Sequence, residues 1–123
     1  MNTSLPATLA VVDDDESVRV AAASLLRSCG WAVRTYACGQ DLLSELGQAN
    51  FRLVIADLQM PEMDGFGLLD RITGHDGRIP VIFITAHATP DIVAKVAGTR
   101  AVDFFPKPLD DTRLLARVSE IVQ

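Results

Sequence analysis

Three short runs of apolar residues, Leu9 to Val12, Leu53 to Ala56 and Val81 to Ile84, carry no polar alternation and are too short for helices. Runs of that kind are strands covered on both faces. Two others, Trp31 to Tyr36 and Ala101 to Phe105, interleave polar residues, as strands at a sheet edge do. Between the runs the apolar spacing lengthens to three and four residues. Val18, Ala22, Leu25, Leu26 and Cys29 form one stripe, opened by Ser17 or an Asp as N-cap and stopped by Gly30. Leu42, Leu43, Leu46 and Ala49 form a second, and Leu68, Leu69 and Ile72 a third. Ile92, Val93 and Val96 follow Pro90, and Leu114, Leu115, Val118, Ile121 and Val122 complete the set. Strand then helix, five times over, predicts right-handed crossovers and a mostly parallel sheet with helices on both faces, a doubly wound α/β domain.

Composition adds mainly exclusions. A chain of 123 residues, 49% hydrophobic and 22% charged, is one ordinary globular domain. Its net charge of −5 opposes direct nucleic-acid binding. Cys29 and Cys38 read as reduced thiols outside any CxxC pair, and His75 and His87 are too far apart for a local metal motif. No apolar run reaches the ~18 residues of a membrane span, and the start of the chain lacks the features of a signal peptide. Residues 1–7 are therefore expected to be a flexible leader, residues 8–123 the domain, and the location cytoplasmic. No helix-turn-helix pattern follows Ile121, so the chain is expected to be either a stand-alone domain or an excised one.

In doubly wound sheets ligands sit beyond the carboxyl ends of the strands, so the residues there carry the chemistry. The first strand is followed by Asp13-Asp14-Asp15-Glu16 and the third by Asp57. Two carboxylates ~4 Å apart repel by about 4 kcal/mol at an effective dielectric of about 20, which invites raised pKa values or a bound cation. Hard oxygen ligands favour Mg²⁺, which completes its shell with waters and phosphate oxygens. Asp15 and Glu16 read more simply as helix-capping anions, whereas Asp57 follows a buried strand with no helix to cap. The fourth strand ends in Thr85-Ala86, and the fifth is followed by Pro106-Lys107-Pro108. A hydroxyl donor, an ammonium, a cation site and a carboxylate nucleophile together make a phosphoryl-transfer constellation.

Four segments in this order resemble the receiver domain of two-component response regulators. They are Val11 to Asp15, Ile55 to Gly65, Phe83 to Ala86 and Val102 to Pro108. The resemblance implies a (βα)5 flavodoxin-like fold with strand order 2-1-3-4-5. It implies that Asp57 is the phosphoacceptor and that Asp13, Asp14, Asp57 and the Gln59 backbone carbonyl hold Mg²⁺, for which Mn²⁺ can substitute. Thr85, Ala86 and Lys107 would meet the phosphoryl oxygens, Phe104 would be the aromatic that follows Thr85, and Gln59 and His87 would modulate the phosphoryl lifetime. A cis Lys107–Pro108 bond would aim the lysine into the crevice. The turn from Met60 to Gly65 is expected to support the acceptor loop, its Pro fixing φ and its Gly supplying a conformation denied to other residues.

As a function, the resemblance implies a switch that takes its phosphoryl group from a sensor histidine kinase and assists its own phosphorylation and dephosphorylation. The response would alter the surface of the fourth helix, fifth strand and fifth helix, toward an output domain, a downstream protein or a second copy in a homodimer. Lys95, Arg100, Asp103, Asp110, Arg113 and Arg117 are candidates for that face, or simply a solvated helix surface. Arg100 stands where many receivers have Gly, so the end of the fourth helix is expected to differ. The main alternative is a degenerate receiver that binds proteins independently of phosphorylation. An FMN carrier would want hydroxyl and glycine donors where Asp13 to Asp15 stand, and an aspartate-based phosphatase a second Asp where Gln59 stands.

Overall fold

The computed structural model describes residues 6–122. Most of the expected leader lies outside the described residues, and Ala7 already pairs with Asn50 as the first residue of a strand. The elements alternate as β1 (Ala7–Val12), α1 (Glu16–Ser28), β2 (Ala32–Tyr36), α2 (Gly39–Leu43), β3 (Asn50–Asp57), α3 (Gly65–His75), β4 (Val81–Thr85), α4 (Pro90–Ala97), β5 (Asp103–Pro106) and α5 (Asp111–Val122). All strand pairings are parallel and the sheet order is β2-β1-β3-β4-β5, with the two more polar strands at its edges.

The unbroken apolar character of the central strands follows from two cores, one on each face. Leu9 and Val11, Leu53 and Ile55, and Ile82 and Ile84 pack against Ala22, Ala23 and Leu26 of α1 and Leu114, Val118 and Val122 of α5. Their alternates, Ala10 and Val12, Val54 and Ala56, and Val81 and Phe83, meet Leu42 of α2, Leu68, Leu69 and Ile72 of α3, and Val96 of α4. Burying both sets fixes strand register, because a slip of one residue would exchange the faces.

Local signals place the helix starts. The Asp15 carboxylate accepts from the amides of Ser17 and Val18, making Asp15 the N-cap of α1, while Thr89 caps α4 ahead of Pro90. The second apolar stripe does not make one helix. It divides into α2 and a 3-10 turn at Leu46–Gln48. Ser44 Oγ donates to the Asp41 carbonyl, Glu45 accepts from Tyr36 Oη at 2.6 Å and from Arg34 at 3.1 Å, and Gly47 follows. Side-chain bonds to a neighbouring strand thus outweigh continuation of a helix that has poor formers at its end.

The fifth strand begins two residues later than its apolar run. Thr99 Oγ1 accepts from the Ala101 amide and turns the chain before Val102 N–H reaches the Val81 carbonyl. Arg100, in the position where a glycine is common, donates to Thr73 Oγ1 at 2.7 Å and to the Ile79 carbonyl at 2.8 Å. It ties the end of α4 to α3 and the start of β4. Several charges expected on an outer face are likewise engaged within the chain. Arg117 pairs with Asp103 at 2.8 Å, and Lys95 lies 4.4 Å from the Phe66 ring centroid.

Candidate functional site

The register of β1 against β3 sets Val12 beside Ala56, so the next residues, Asp13 and Asp57, emerge side by side at the carboxyl rim. Asp13 is fully buried and Asp57 nearly so, at 0% and 4% exposure. Asp14 is exposed. One carboxylate oxygen from each of Asp13, Asp14 and Asp57 lies within 4.8 Å of the others.

Lys107 enters the same space from the end of β5, after a hydrogen bond from its amide to the Thr85 carbonyl and before a cis bond to Pro108. Its Nζ lies 2.9 Å from Asp13 Oδ2 and 3.3 Å from Asp57 Oδ2. The Asp13 contact is an ion pair, and among the described residues Oδ2 has no donor besides that ammonium. The remaining oxygens are held by the main chain, Asp13 Oδ1 by the Asp15 amide at 2.9 Å and Asp57 Oδ1 by the Gln59 amide at 3.2 Å.

Burial raises the Asp57 pKa above the ordinary carboxylate value, and the neighbouring Asp13 charge adds to it, against the pull of the Gln59 amide and Lys107. Burial pulls the Lys107 ammonium down, but Asp13 and Asp57 together outweigh it and hold its pKa above the ordinary lysine value. The lysine is thus a permanent cation against an acidic pair that repels itself. Three hard oxygen donors, two of them on buried carboxylates, suit a small divalent cation such as Mg²⁺.

Thr85 belongs to the opposite face of the sheet from Asp57 by strand alternation and is fully buried. Its Oγ1 accepts from the His87 amide at 3.0 Å, which leaves the hydroxyl proton free to donate. Ala86 is exposed beside it, and His87 is exposed with its amide turned back to Thr85. Phe104 lies beside Phe83 in register, half-buried against the same core, so it shares the Thr85 face. The Gln59 side chain is exposed while its amide is directed to Asp57.

The loop after Asp57 corrects one expectation. The left-handed conformation falls on Glu62, with φ 68°, not on Gly65. Gly65 is required by proximity instead. A Cβ there would lie 2.8 Å from the Asp57 carbonyl oxygen and 2.9 Å from Leu58 Cα, while its own amide donates to the Leu58 carbonyl at 2.9 Å. The helix start is thereby pressed against the acceptor strand. Arg19 was not singled out in the sequence, yet its Nη1 donates to the Asp13 carbonyl at 2.6 Å. Nothing in the α1 pattern distinguishes it from a solvated helix arginine.

Residues 9–119 match the family model described as the response regulator receiver domain. Among curated proteins, the response regulator protein TmoT of Ectopseudomonas mendocina is 34% identical over 108 residues, 88% of this chain and 49% of that protein. The C4-dicarboxylate transport transcriptional regulatory protein DctR of Rhodobacter capsulatus is 38% identical, covering 88% of this chain and 56% of its own. This chain therefore spans about half the length of these relatives. Among solved structures, the Vibrio cholerae chemotaxis protein CheY4 aligns with a TM-score of 0.84 at 26% identity, over 94% of this chain and 98% of that one. FixJ-N aligns with a TM-score of 0.83 at 30% identity, over 99% and 95%. A family model that spans nearly the whole chain, on a sheet wound in the order such proteins share, makes this chain a member of the response regulator receiver domain family.

Proposed function

We propose that this domain is a phosphorylation-dependent signalling switch in which Asp57 accepts a phosphoryl group from a phosphohistidine on a sensor kinase. An Asp57 carboxylate oxygen attacks phosphorus, the P–N bond to the imidazole breaks, and an aspartyl phosphate remains. The observation that carries this reading is the convergence of Asp13, Asp14, Asp57 and Lys107, from three strand ends, on one small space.

Each residue then has a task. Asp13, Asp14 and Asp57, with the Gln59 carbonyl, hold Mg²⁺ or Mn²⁺, and the ion supplies charge stabilisation for the transferring oxygens. Lys107 neutralises one phosphoryl oxygen, and the Thr85 hydroxyl and the main chain at Ala86 meet another. Gln59, whose amide meets Asp57, and His87, two residues past Thr85, tune water access to the acyl phosphate.

The added charge draws Thr85 toward Asp57, makes room for Phe104 to turn inward, and reshapes the α4-β5-α5 surface. That surface signals to an output domain, a downstream protein or a second copy of the chain. The relatives are named as regulators of transcription or response, which supports that direction of output. Among the described residues no helix is long and apolar enough to cross a membrane, in keeping with a cytoplasmic partner of a kinase.

Intact-mass spectrometry with acetyl phosphate and Mg²⁺ tests the reading. One added phosphoryl group, absent from Asp57→Asn and absent with EDTA, is expected. An unmodified wild type would favour a phosphorylation-independent binding module.

A further inference from the structure

Besides its ion pair with Lys107, Asp13 is held by three hydrogen bonds. Its amide donates to the Tyr36 carbonyl of β2 at 3.1 Å, its Oδ1 accepts from the Asp15 amide at 2.9 Å, and its carbonyl accepts from Arg19 Nη1 at 2.6 Å. Asp14 has no such anchor, since no side-chain hydrogen bond reaches it among the described residues. With no such bond to select its rotamer, the fixed part of Asp14's approach to the pocket is its backbone, beginning with the Asp13–Asp14 peptide plane. The carbonyl bonded by Arg19 lies in that plane, and a peptide is rigid, so fixing the oxygen fixes the orientation in which Asp14 leaves.

Arg19 lies in the first turn of α1, a helix that Asp15 caps from the same loop, and its side chain is partly buried. Loop and helix thus brace each other through one capping carboxylate and one returning guanidinium. Charge alone gives no reason for the arrangement. A guanidinium beside a cation pocket repels the cation, so by Coulomb's law Arg19 should weaken binding.

We propose that Arg19 is a positioning residue that sets the divalent-cation affinity of the acidic pocket by clamping the Asp13–Asp14 peptide. The proposal rests on the reading of Asp13, Asp14 and Asp57 as a cation site. Positioning and electrostatics then predict opposite signs. If the clamp dominates, removing the guanidinium weakens Mg²⁺ binding because Asp14 loses its direction. If charge dominates, removing it tightens binding.

Isothermal titration of the unphosphorylated chain with MgCl₂ reads this directly, on wild type, Arg19→Ala, Arg19→Met, Arg19→Lys and Asp14→Asn. Loss of a bond that orients a ligand typically costs about tenfold or more in metal affinity, so about tenfold weaker binding is expected for both Ala and Met. Lys, which keeps a donor, is expected to restore much of it. Met retains the hydrocarbon stem and serves if Ala fails to unfold cooperatively. Binding by Ala and Met as tight as wild type or tighter, with Asp14→Asn still weakened, would overturn the clamp and leave the cation site standing. Equal binding by wild type and Asp14→Asn would instead remove the cation-site reading, and the clamp with it.

Discussion

The ammonium of Lys107 stands 3.3 Å from Asp57 Oδ2, across fifty residues of sequence, and 2.9 Å from Asp13 Oδ2. One side chain thus bridges two acids on neighbouring strands. Lys107 is only 15% exposed, so solvent does little to replace it. Both acids depend on it for countercharge within the described residues.

Replacing Lys107 by Ala is therefore expected to destabilise the protein in EDTA by about 1–3 kcal/mol, the usual cost of leaving a buried polar group without its partner. Mg²⁺ can supply the missing charge. Thermal unfolding with and without MgCl₂ should show a larger upward shift in the variant than in wild type. Equal shifts in the two proteins would mean that lysine and cation do not share one electrostatic place.

Asp57 itself is expected to cost stability when ionised without metal. Its folded pKa is raised above the ordinary 3.8 by burial first and by Asp13 second. A group with a raised folded pKa contributes stability that is fully present below the unfolded value and is lost as pH rises through the folded one. In EDTA, the stability of Asp57→Asn relative to wild type should therefore increase as pH climbs from below 3.8 through the raised value, then level off. Denaturant unfolding across that range checks the sign. A difference that shrinks with rising pH would contradict a burial penalty on the carboxylate.

Two glycines of α3 separate proximity from propensity. At Gly65 an added Cβ meets the Asp57 oxygen at 2.8 Å and Leu58 Cα at 2.9 Å, backbone atoms that cannot swing aside. Gly65→Ala is expected to cost about 1–3 kcal/mol, as overpacking does, and to slow phosphorylation by acetyl phosphate. At Gly74 nothing lies within 4 Å and the residue is helical, so Gly74→Ala should stabilise by about 0.5–1 kcal/mol. Urea denaturation of the pair should give opposite signs.

The acidic cluster after β1, Asp57 after β3 and the lysine after β5 were all legible, because strand ends are marked by a change from apolar to polar residues. Their companions were less so. Gly65 looked like a conformational glycine, but its role depends on how closely α3 approaches Leu58, a distance between segments that no local pattern encodes. Arg19 drew no attention, since a helix arginine that reaches back to a loop carbonyl has the same spacing as one that reaches water. The second helix failed as a single stripe because Glu45 bonds across to Arg34 and Tyr36 on a strand.

The alternation of apolar runs and helical stripes was enough by itself to determine a doubly wound sheet and the acidic, hydroxyl and ammonium chemistry at its rim. Periodicity reports which face of an element is buried, and burial is a property of each segment. Strand order lay outside periodicity and came from the resemblance of four segments, and the sheet has the order that resemblance implies. That Asp13 pairs with the lysine at 2.9 Å while Asp14 is left unanchored, and that Thr85 and Phe104 share the other face, were decided only by packing. Those relations depend on register and side-chain reach between segments tens of residues apart, which the two cores fix together and neither fixes alone.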